Sequence, residues 1–408
     1  MAGTTRTTYD AMLKDFYEGP VRDVLNSKTF LLSRLKRDSR SWSGRQIVKP
    51  VNVLRNQGIG ARSEGGTLPG AQEQGFATMK VTSKYQYGRF KVSGPVMASS
   101  RGDKAFAPAL GNSMKSLTRD LMNDLNRQIF NDASGVLCQV NGAVSNSTKV
   151  TVDAPGARYL ARSMKIDTYS ARTGGSIGLN SVTISAVNSS VKFTLTAAAT
   201  ATNNHFVIRE DAYANELMGL LGIVDTGLYA RTLFNIDRNT QLDWKANVLH
   251  NSGTNRSLTL ALMQTGVDAA EIAGNGEIDF LAAHTSVRRE YINLLAPDVR
   301  FVPTELRGGM RKLTFAGGAQ GDIPFEFDKD CTYNRIYFLS LENFTWDVLS
   351  DFHFDDETGA ILKQVADTDE FEGWLKGYVE LECDKPNAQS VLTDISATVT
   401  NLGNYQVA

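Results

Sequence analysis

Apolar residues at helical spacing predict one long helix in the first third of the chain. From Phe106 to Ile129 the apolar positions advance by three or four residues along one face. Asp103 can cap the start and Gly135 lies just beyond the end, so a helix over 103–132 is predicted. At 1.5 Å per residue this helix is about 40 Å long. Its single narrow apolar stripe indicates that it lies across a sheet.

Alternating apolar positions before the helix predict a long β-hairpin over residues 46–94. The first strand covers 47–53, and the return is predicted to include both 76–81 and 85–92. Between the strands, residues 57–70 are rich in glycine, which makes ordering this segment entropically costly. We therefore expect the hairpin tip to be mobile or to order against a partner.

The first forty-five residues have the pattern of an arm. Apolar residues such as Phe30 and Leu35 stand among basic side chains and are too few to close a core. They are expected to be buried against the rest of the chain or against a neighbouring molecule.

The sequence pattern changes at three points later in the chain. Residues 138–209 are rich in Ser, Thr, Ala, Val and Asn, and short alternating runs broken by turn residues predict an inserted small β-barrel or sandwich. Helix and strand patterns alternate over 210–321. Residues 322–408 are acidic and strand-rich, so the chain has a basic arm and an acidic tail, whose opposite charges allow them to pair between copies.

Composition narrows the class of protein. The 408 residues are 42% apolar, and 43 basic residues face 44 acidic ones, for a net charge of −1. This balance argues against a dedicated nucleic-acid reader, which needs a surplus of Lys and Arg. It favours a protein that sits beside copies of itself, because strong like charge would push the copies apart.

The three cysteines are too few and too scattered for a disulfide framework or a zinc site. The N-terminus lacks the apolar core of a signal peptide, and no apolar stretch is long enough to span a bilayer. The protein is therefore expected to be made in the cytoplasm and to have no membrane partner.

Motifs for catalysis or ligand binding are weak. Residues 174–178 match G-x-S-x-G, but a strand pattern follows where a nucleophile elbow needs a helix. The glycines of the hairpin tip lack the lysine and the helix of a phosphate loop. Asp351, His353 and Asp355 share one strand face, a pattern typical of a half-buried hairpin strand with its polar residues in water. No catalytic, cofactor or metal site is predicted, and the protein is not expected to be an enzyme.

The order of these pieces resembles the tailed-bacteriophage major capsid family. The resemblance is most specific in two stretches. One is residues 84–93, which lead into the predicted helix. The other runs from Thr345-Trp346 through the turn at 355–359 to the strand that ends at 383–388. It implies an α+β tailed-phage major capsid fold with an inserted small β-barrel domain. Its segments would be an N-terminal arm (1–45), an extended-loop hairpin (46–95), the spine helix and the start of the peripheral domain (96–137), the insertion (138–209), an axial domain (210–321), and the return strands of the peripheral domain with the C-terminus (322–408).

The resemblance also implies a function and partners. The chain would assemble into hexamers and pentamers of an icosahedral virion shell in the host bacterial cytoplasm, with double-stranded DNA packaged without sequence specificity. A separate scaffolding protein and a portal are expected partners, and a decoration protein is a further candidate partner. Residues 57–75 contain no lysine, so the lysine cross-link of some family members is not expected.

Two groups of residues are assigned roles from this resemblance. The expected inter-subunit contacts lie on the arm and the hairpin tip: Phe30, Leu35, Arg37, Gly58, Gly60, Arg62, Glu64, Gly65 and Gly66. The residues expected near DNA are the basic arm residues Arg34, Lys36 and Arg40.

Two alternatives stay open from the sequence. One is an encapsulin-like shell with the same fold and a protein cargo. The other is a phage tail or surface β-rich binding protein, with 138–209 as its recognition module.

Overall fold

A computed structural model describes residues 31–37, 42, 44–99, 109–153, 156–295, 314–318, 321–356 and 361–396. Within these ranges it contains five α-helices: α1 (Gly94–Ser99), α2 (Ala109–Ile129), α3 (Leu220–Ile223), α4 (Leu260–Gly274) and α5 (Thr285–Leu295).

Twenty-two strands lie within the same ranges. They are β1 (Lys36–Arg37), β2 (Ile47–Leu54), β3 (Gly75–Val81), β4 (Lys84–Ser93), β5 (Val136–Gln139), β6 (Val144–Thr151), β7 (Lys165–Ala171), β8 (Gly174–Ile177), β9 (Val182–Ser189), β10 (Lys192–Ala201), β11 (Phe206–Arg209), β12 (Thr232–Leu233), β13 (Ile236–Asp237), β14 (Asn247–Leu249), β15 (Phe280–His284), β16 (Thr314–Gly318), β17 (Gly321–Asp328), β18 (Ile336–Leu339), β19 (Phe344–Phe354), β20 (Lys363–Gln364), β21 (Glu370–Cys383) and β22 (Ser390–Leu392).

The chain divides into two compact units. Among the described residues, the first unit holds 87–99, 109–123, 352–356 and 361–376. The second holds all the other described residues. The division runs through α2, β4, β19 and β21, so each of these elements contributes residues to both units.

The largest core of the second unit surrounds a mixed six-stranded sheet with the order β14-β22-β18-β15-β17-β16. Strand β15 pairs in parallel with β17 and antiparallel with β18, and all five of its residues are buried. Helix α4 packs on this sheet through Met263 and Val267, and α5 does so through Val287 and Tyr291. The helix α4 begins at its cap residue Thr259 and ends at Asn275, which is left-handed with φ 47°.

The Ser/Thr-rich region forms a sheet with a core of its own. Its strand order is β5-β11-β7-β9-β10-β6, with β8 paired to β7. Val150, Phe193 and Val207 lie in the core of this sheet. The ends of the outer strands β5 and β6 continue into an antiparallel bridge between Val140 and Val152. The two edges of the sheet are therefore joined at this point.

Helix α2 corresponds to the predicted spine helix. Its described part has 21 residues and a length of about 31 Å, and Asp103 and Pro108 lie outside the described residues. Leu125 and Ile129 of the predicted stripe are fully buried in the second unit. Arg127, on the same turns, forms a buried ion pair with Glu216, in which Nη1 donates to Oε2 over 3.0 Å.

Strand β4 corrects one expectation. The predicted hairpin return joined 85–92 to the first strand, but β2 pairs only with β3, whereas β4 pairs with β21 in another sheet. In the first unit, Arg89 and Lys91 of β4 pair with Glu372 and Glu370 of β21. Two consecutive alternating strands have the same sequence pattern whether or not they share a sheet, so periodicity alone did not separate them.

The position of Asp355 also differs from the expectation. The sequence pattern places it in water with Asp351 and His353, but the structure buries it in the first unit. Its Oδ2 accepts from Lys363 Nζ over 2.5 Å and its Oδ1 from Lys376 Nζ over 2.7 Å. These two hydrogen bonds lower the pKa of Asp355 to about 2. The paired cations are the physical reason that this carboxylate leaves the water-facing side.

The close contact between α4 and β18 gives a prediction. A Cβ added at Gly266 would lie 2.5 Å from the Phe338 ring. Gly266→Ala is therefore expected to lower the free energy of unfolding by about 1–3 kcal/mol through overpacking, although alanine favours helix. Urea unfolding measures the change. Gly70→Ala is the matched control, since its added Cβ meets no atom within 4 Å. Equal unfolding midpoints for the two variants would contradict the packing argument.

Candidate functional site: the hairpin and its anchor

The hairpin of β2 and β3 has one covered face and one open face. Its register sets Val51 opposite Ala77 and Asn52 opposite Phe76. Exposure alternates along β2, and on the open face Val48, Leu54 and Phe76 are 52%, 57% and 65% exposed. On the covered face near the base, Met79 is fully buried. The strand period therefore turns one apolar stripe towards the body and leaves a second one in water.

The tip (residues 55–74) is organised by hydrogen bonds within itself. Asn56 Oδ1 accepts from the Gly58 N–H over 2.7 Å, and Asn56 Nδ2 donates to the Gln72 carbonyl over 2.7 Å. Further out, the Gly66 N–H donates to the Ser63 carbonyl, and the intervening Gly65 has φ +73°, which favours glycine. Asn56 thus joins the two sides of the tip and fixes its local shape.

The tip carries large apolar side chains in water. Ile59 is 80% exposed and Leu68 is 81% exposed. Burying such a side chain contributes about 1.5–3 kcal/mol. The hairpin therefore presents apolar surface, and the favourable free energy of burying it is obtained only when another surface covers it.

A buried ion pair anchors the base of the hairpin. Lys49 of β2 pairs with Glu382 of β21, and its Nζ also lies 3.2 Å from Asp384 Oδ1. The Glu382 side chain is fully buried, and the Lys49 side chain is 28% exposed. Burial alone would lower the pKa of Lys49, but the two carboxylates raise it overall. Removing Lys49 would leave the buried Glu382 without its cation, which is destabilising.

Further carboxylates surround this ion pair. Asp347 is buried close to Glu382, and burial together with Asp384 and Asp347 raises the pKa of Glu382. Glu380, on the same strand, is also buried. Its pKa is raised to about 7 by burial, although its Oε1 accepts from the backbone N–H groups of Met218 and Leu381. The hairpin base therefore rests on a carboxylate cluster whose charge depends on pH near neutrality.

A second contact holds the base of β3. The Lys80 N–H donates to the Phe234 carbonyl over 2.9 Å, and Asn235 Nδ2 donates to the Thr78 carbonyl over 3.3 Å. Phe234 and Asn235 form the turn between β12 and β13, both with positive φ. Both strands of the hairpin are thus fixed at the base by the second unit.

The described part of the arm packs on its own chain. Leu31 and Leu35 are buried, and β1 runs parallel to β19 with Lys36 opposite Thr345. Arg34 pairs with Glu326 and lies over the Phe280 ring at 5.0 Å. Arg37 Nη2 lies 2.5 Å from Asp351 Oδ2, with both side chains more than half exposed.

The residues assigned from the sequence therefore lie in three places. Phe30 and Arg40 are outside the described residues. Leu35, Arg34 and Arg37 contact the body of the same chain, and Lys36 is exposed in β1. The tip residues lie together at the far end of the hairpin, exposed except for half-buried Gly58: Gly58, Gly60, Arg62, Glu64, Gly65 and Gly66. The inter-subunit and DNA-proximal roles of these residues stay predictions.

The described residues do not support a metal site, a nucleophile elbow or a membrane-spanning helix. Within these ranges no group of three His, Cys, Asp or Glu side chains is arranged to hold a metal ion. The G-x-S-x-G segment forms β8, a strand, and no helix follows it. None of the helices in the described part of the chain combines the length and apolar character needed to cross a bilayer.

The carboxylate cluster gives a pH prediction. Glu380 binds its proton more tightly in the folded chain than its ordinary pKa of 4.5 allows. The stability from this proton is complete below about pH 4.5 and is lost as the pH rises through about 7. Glu380→Gln keeps the acceptor oxygen and cannot ionise. At pH 8 it is expected to be more stable than the unaltered protein by about 3 kcal/mol, and at pH 4 to be equally stable.

Urea unfolding of the unassembled chain between pH 4 and pH 8 tests this expectation. Glu271→Gln, at an exposed site on α4, is the control for the loss of one negative charge. Parallel stability curves for Glu380→Gln and the unaltered protein would refute the assignment.

Comparisons with known proteins complete the description. No protein-family model and no curated protein sequence matches the chain. The capsid asymmetric unit of cyanophage A-1(L) matches with a TM-score of 0.64 and 16% identity, over 96% of this chain and 99% of the other. The capsid of a native GTA particle matches with a TM-score of 0.58 and 9% identity, over 97% and 100%. The capsid of an empty GTA particle matches with a TM-score of 0.55 and 9% identity, over the same shares.

These likenesses extend over nearly the full length of each chain. Identities of 9–16% establish the fold. The chain therefore has the fold of the tailed-bacteriophage major capsid proteins.

Proposed function

We propose that the protein is a major capsid protein, which assembles into an icosahedral phage head enclosing double-stranded DNA. The observation that carries this proposal is the exposed apolar surface of the hairpin tip on a chain with a capsid fold. Ile59 and Leu68 stand in water, although the base of the same hairpin is firmly anchored. A second copy of the chain is the partner that a shell always supplies next to such a surface.

Assembly on this proposal proceeds by many weak contacts. Each tip reaches over a neighbouring subunit and buries its apolar side chains there. A single contact of this size is marginal against the entropy lost on association. A closed shell engages all of its contacts together, so the assembled state is stable although each contact is weak. Hexamers and pentamers are the assembly units in this proposal.

Charge supports a non-specific relation to DNA. The chain is close to neutral overall, and Arg34 and Arg37 are paired with carboxylates of their own chain. Tight binding of duplex DNA needs many unpaired cations. In this proposal the duplex is therefore held by confinement within the shell. A scaffolding protein, a portal and a decoration protein are further proposed partners.

The tip provides the test of assembly. Ile59→Asp combined with Leu68→Asp removes the apolar contact and places charge on the surface to be buried. Shell formation, followed by electron microscopy, is expected to fall at least about tenfold, because burial of two apolar side chains is lost. The urea unfolding midpoint of the unassembled chain is expected to stay unchanged, because both side chains are exposed.

Ser63→Asp combined with Thr67→Asp is the matched control, since it adds the same charge at exposed tip positions and keeps both apolar side chains. This control is expected to assemble better than the apolar variant. Normal shells from the Ile59 and Leu68 variant, or a monomer under every condition for the unaltered protein, would overturn the proposal.

The contents of native particles separate a phage head from an encapsulin-like shell. Particles purified from the source are expected to hold nuclease-protected duplex DNA, measured by gel electrophoresis after disruption of the shell. A single enzyme as the cargo, without DNA, would establish the encapsulin-like alternative. Tubes or fibres in place of closed shells would favour the tail or surface-binding alternative.

A further inference from the structure

A cavity in the second unit has features that shell assembly does not require. Its volume is about 240 Å³, and it lies between the C-terminal end of α2, strand β5 and the segment around Tyr333. Three arginines and two aspartates line it: Arg127, Arg158, Arg172, Asp153 and Asp330. Aromatic and aliphatic side chains, among them Phe130 and Leu221, complete the walls.

Several contacts hold Arg158, and its Nε is the one guanidinium nitrogen without a hydrogen-bond partner among the described residues. Its Nη1 lies 2.5 Å from the Lys329 carbonyl oxygen, 2.7 Å from Tyr333 Oη and 3.3 Å from His284 Nε2. Its Nη2 bonds to Tyr159, and the guanidinium stacks on the Tyr159 and Tyr333 rings at 4.4 and 4.8 Å. Among the described residues, nothing accepts a hydrogen bond from Nε, and no carboxylate forms an ion pair with this arginine.

Neighbouring groups keep Arg158 as a cation without neutralising it. Burial and the charge of Arg158 lower the pKa of His284 to about 3, so the imidazole is neutral, and its Nδ1 accepts from the Ser286 backbone N–H over 3.0 Å. The other partners of Arg158 are carbonyl and phenol oxygens, which also carry no charge. The guanidinium is therefore charged and its hydrogen-bond partners are neutral, with the Asp330 carboxylate nearby.

Arg172 lies on another wall and, unlike Arg158, forms an ion pair with a carboxylate, that of the buried Asp132. Its Nη1 lies 2.7 Å from Asp132 Oδ2 and 3.3 Å from Ser134 Oγ. Its guanidinium stacks on Phe206 and Tyr229 at 5.4 and 5.3 Å. Within the described residues its Nε and Nη2 have no hydrogen-bond partner. The Nε–Nη2 edge of an arginine is the fork that holds two oxygens of a phosphate or carboxylate at once.

The other charged groups of the wall are accounted for. Arg127 uses all three of its nitrogens on Asp124 and Glu216, so it has no fork to offer. Asp330 accepts from Asn126 Nδ2 over 2.9 Å and from Lys329 Nζ over 3.1 Å. Asp153 remains as the carboxylate that would oppose an anion in this cavity.

We propose that this cavity is a binding site for a small oxyanion of the phosphate class, held by the free Nε–Nη2 edge of Arg172 and by Nε of Arg158. Rings packed on both arginines preset the positions of the two guanidinium groups, so little entropy is lost when the anion binds.

Calorimetric titration of the full-length protein with inorganic phosphate at pH 7 and constant ionic strength tests the proposal. One saturable site per chain is expected. Arg172→Lys keeps the charge and loses the fork, and is expected to weaken phosphate binding about tenfold or more. Asp153→Asn removes the opposing charge and is expected to tighten binding severalfold. Arg55→Lys, on the exposed hairpin, is the matched control and is expected to bind as the unaltered protein does.

Competition identifies the ligand chemistry. Sulfate, which has the same tetrahedral oxygens, is expected to displace phosphate, and chloride at matched ionic strength is not. The proposal is overturned if the unaltered protein shows no saturable binding, if chloride competes as well as sulfate, if Arg172→Lys binds normally, or if Asp153→Asn binds more weakly. Arg158→Lys is a further variant, but both arginines also contact the body, so urea unfolding must show each arginine variant to be folded and Asp153→Asn decides the result.

Discussion

The structure depends on apolar surface that the hairpin tip cannot bury by itself. Glycines leave the tip with few side chains of its own, and Asn56 shapes it through backbone hydrogen bonds. Ile59 and Leu68 therefore have no local core to enter and remain in water. A monomeric protein under selection for solubility alone has no use for such an arrangement. The missing contact has to come from another molecule, and in the proposed shell that molecule is a second copy.

The same hairpin is anchored tightly at its other end, and the two properties belong together. A buried pair such as Lys49 and Glu382 adds little net stability, because both charges lose their water. It adds direction instead, since the pair forms only when β2 lies in one register on the body. The backbone bond from Lys80 to Phe234 fixes β3 in the same way. A tip aimed in a fixed direction loses less entropy on meeting a neighbour than a freely moving one would.

Local periodicity carried most of what the sequence could predict. The stripe from Leu117 to Ile129 indicates the long helix, and alternation with a glycine-rich interruption indicates the hairpin, so the predicted fold class is confirmed. Pairing between distant segments has no such signal. The partner of β4 lies in β21, nearly three hundred residues away, and Lys49 meets Glu382 across 333 positions. The burial of Asp355 also depends on distant residues. Its sequence neighbours alternate as in an exposed strand, and only the folded chain brings two lysines to it.

Ion pairs within the chain reduce the number of arm cations that are available to another molecule. The sequence suggests that the arm could pair with the acidic tail of a neighbour, but Arg34 and Arg37 meet Glu326 and Asp351 within one chain. The exposed pair of Arg37 and Asp351 contributes little to stability. It does remove one cation from those available to phosphates. In the proposed shell, arm cations that are paired in this way would not contact the duplex, so confinement within the shell would hold it.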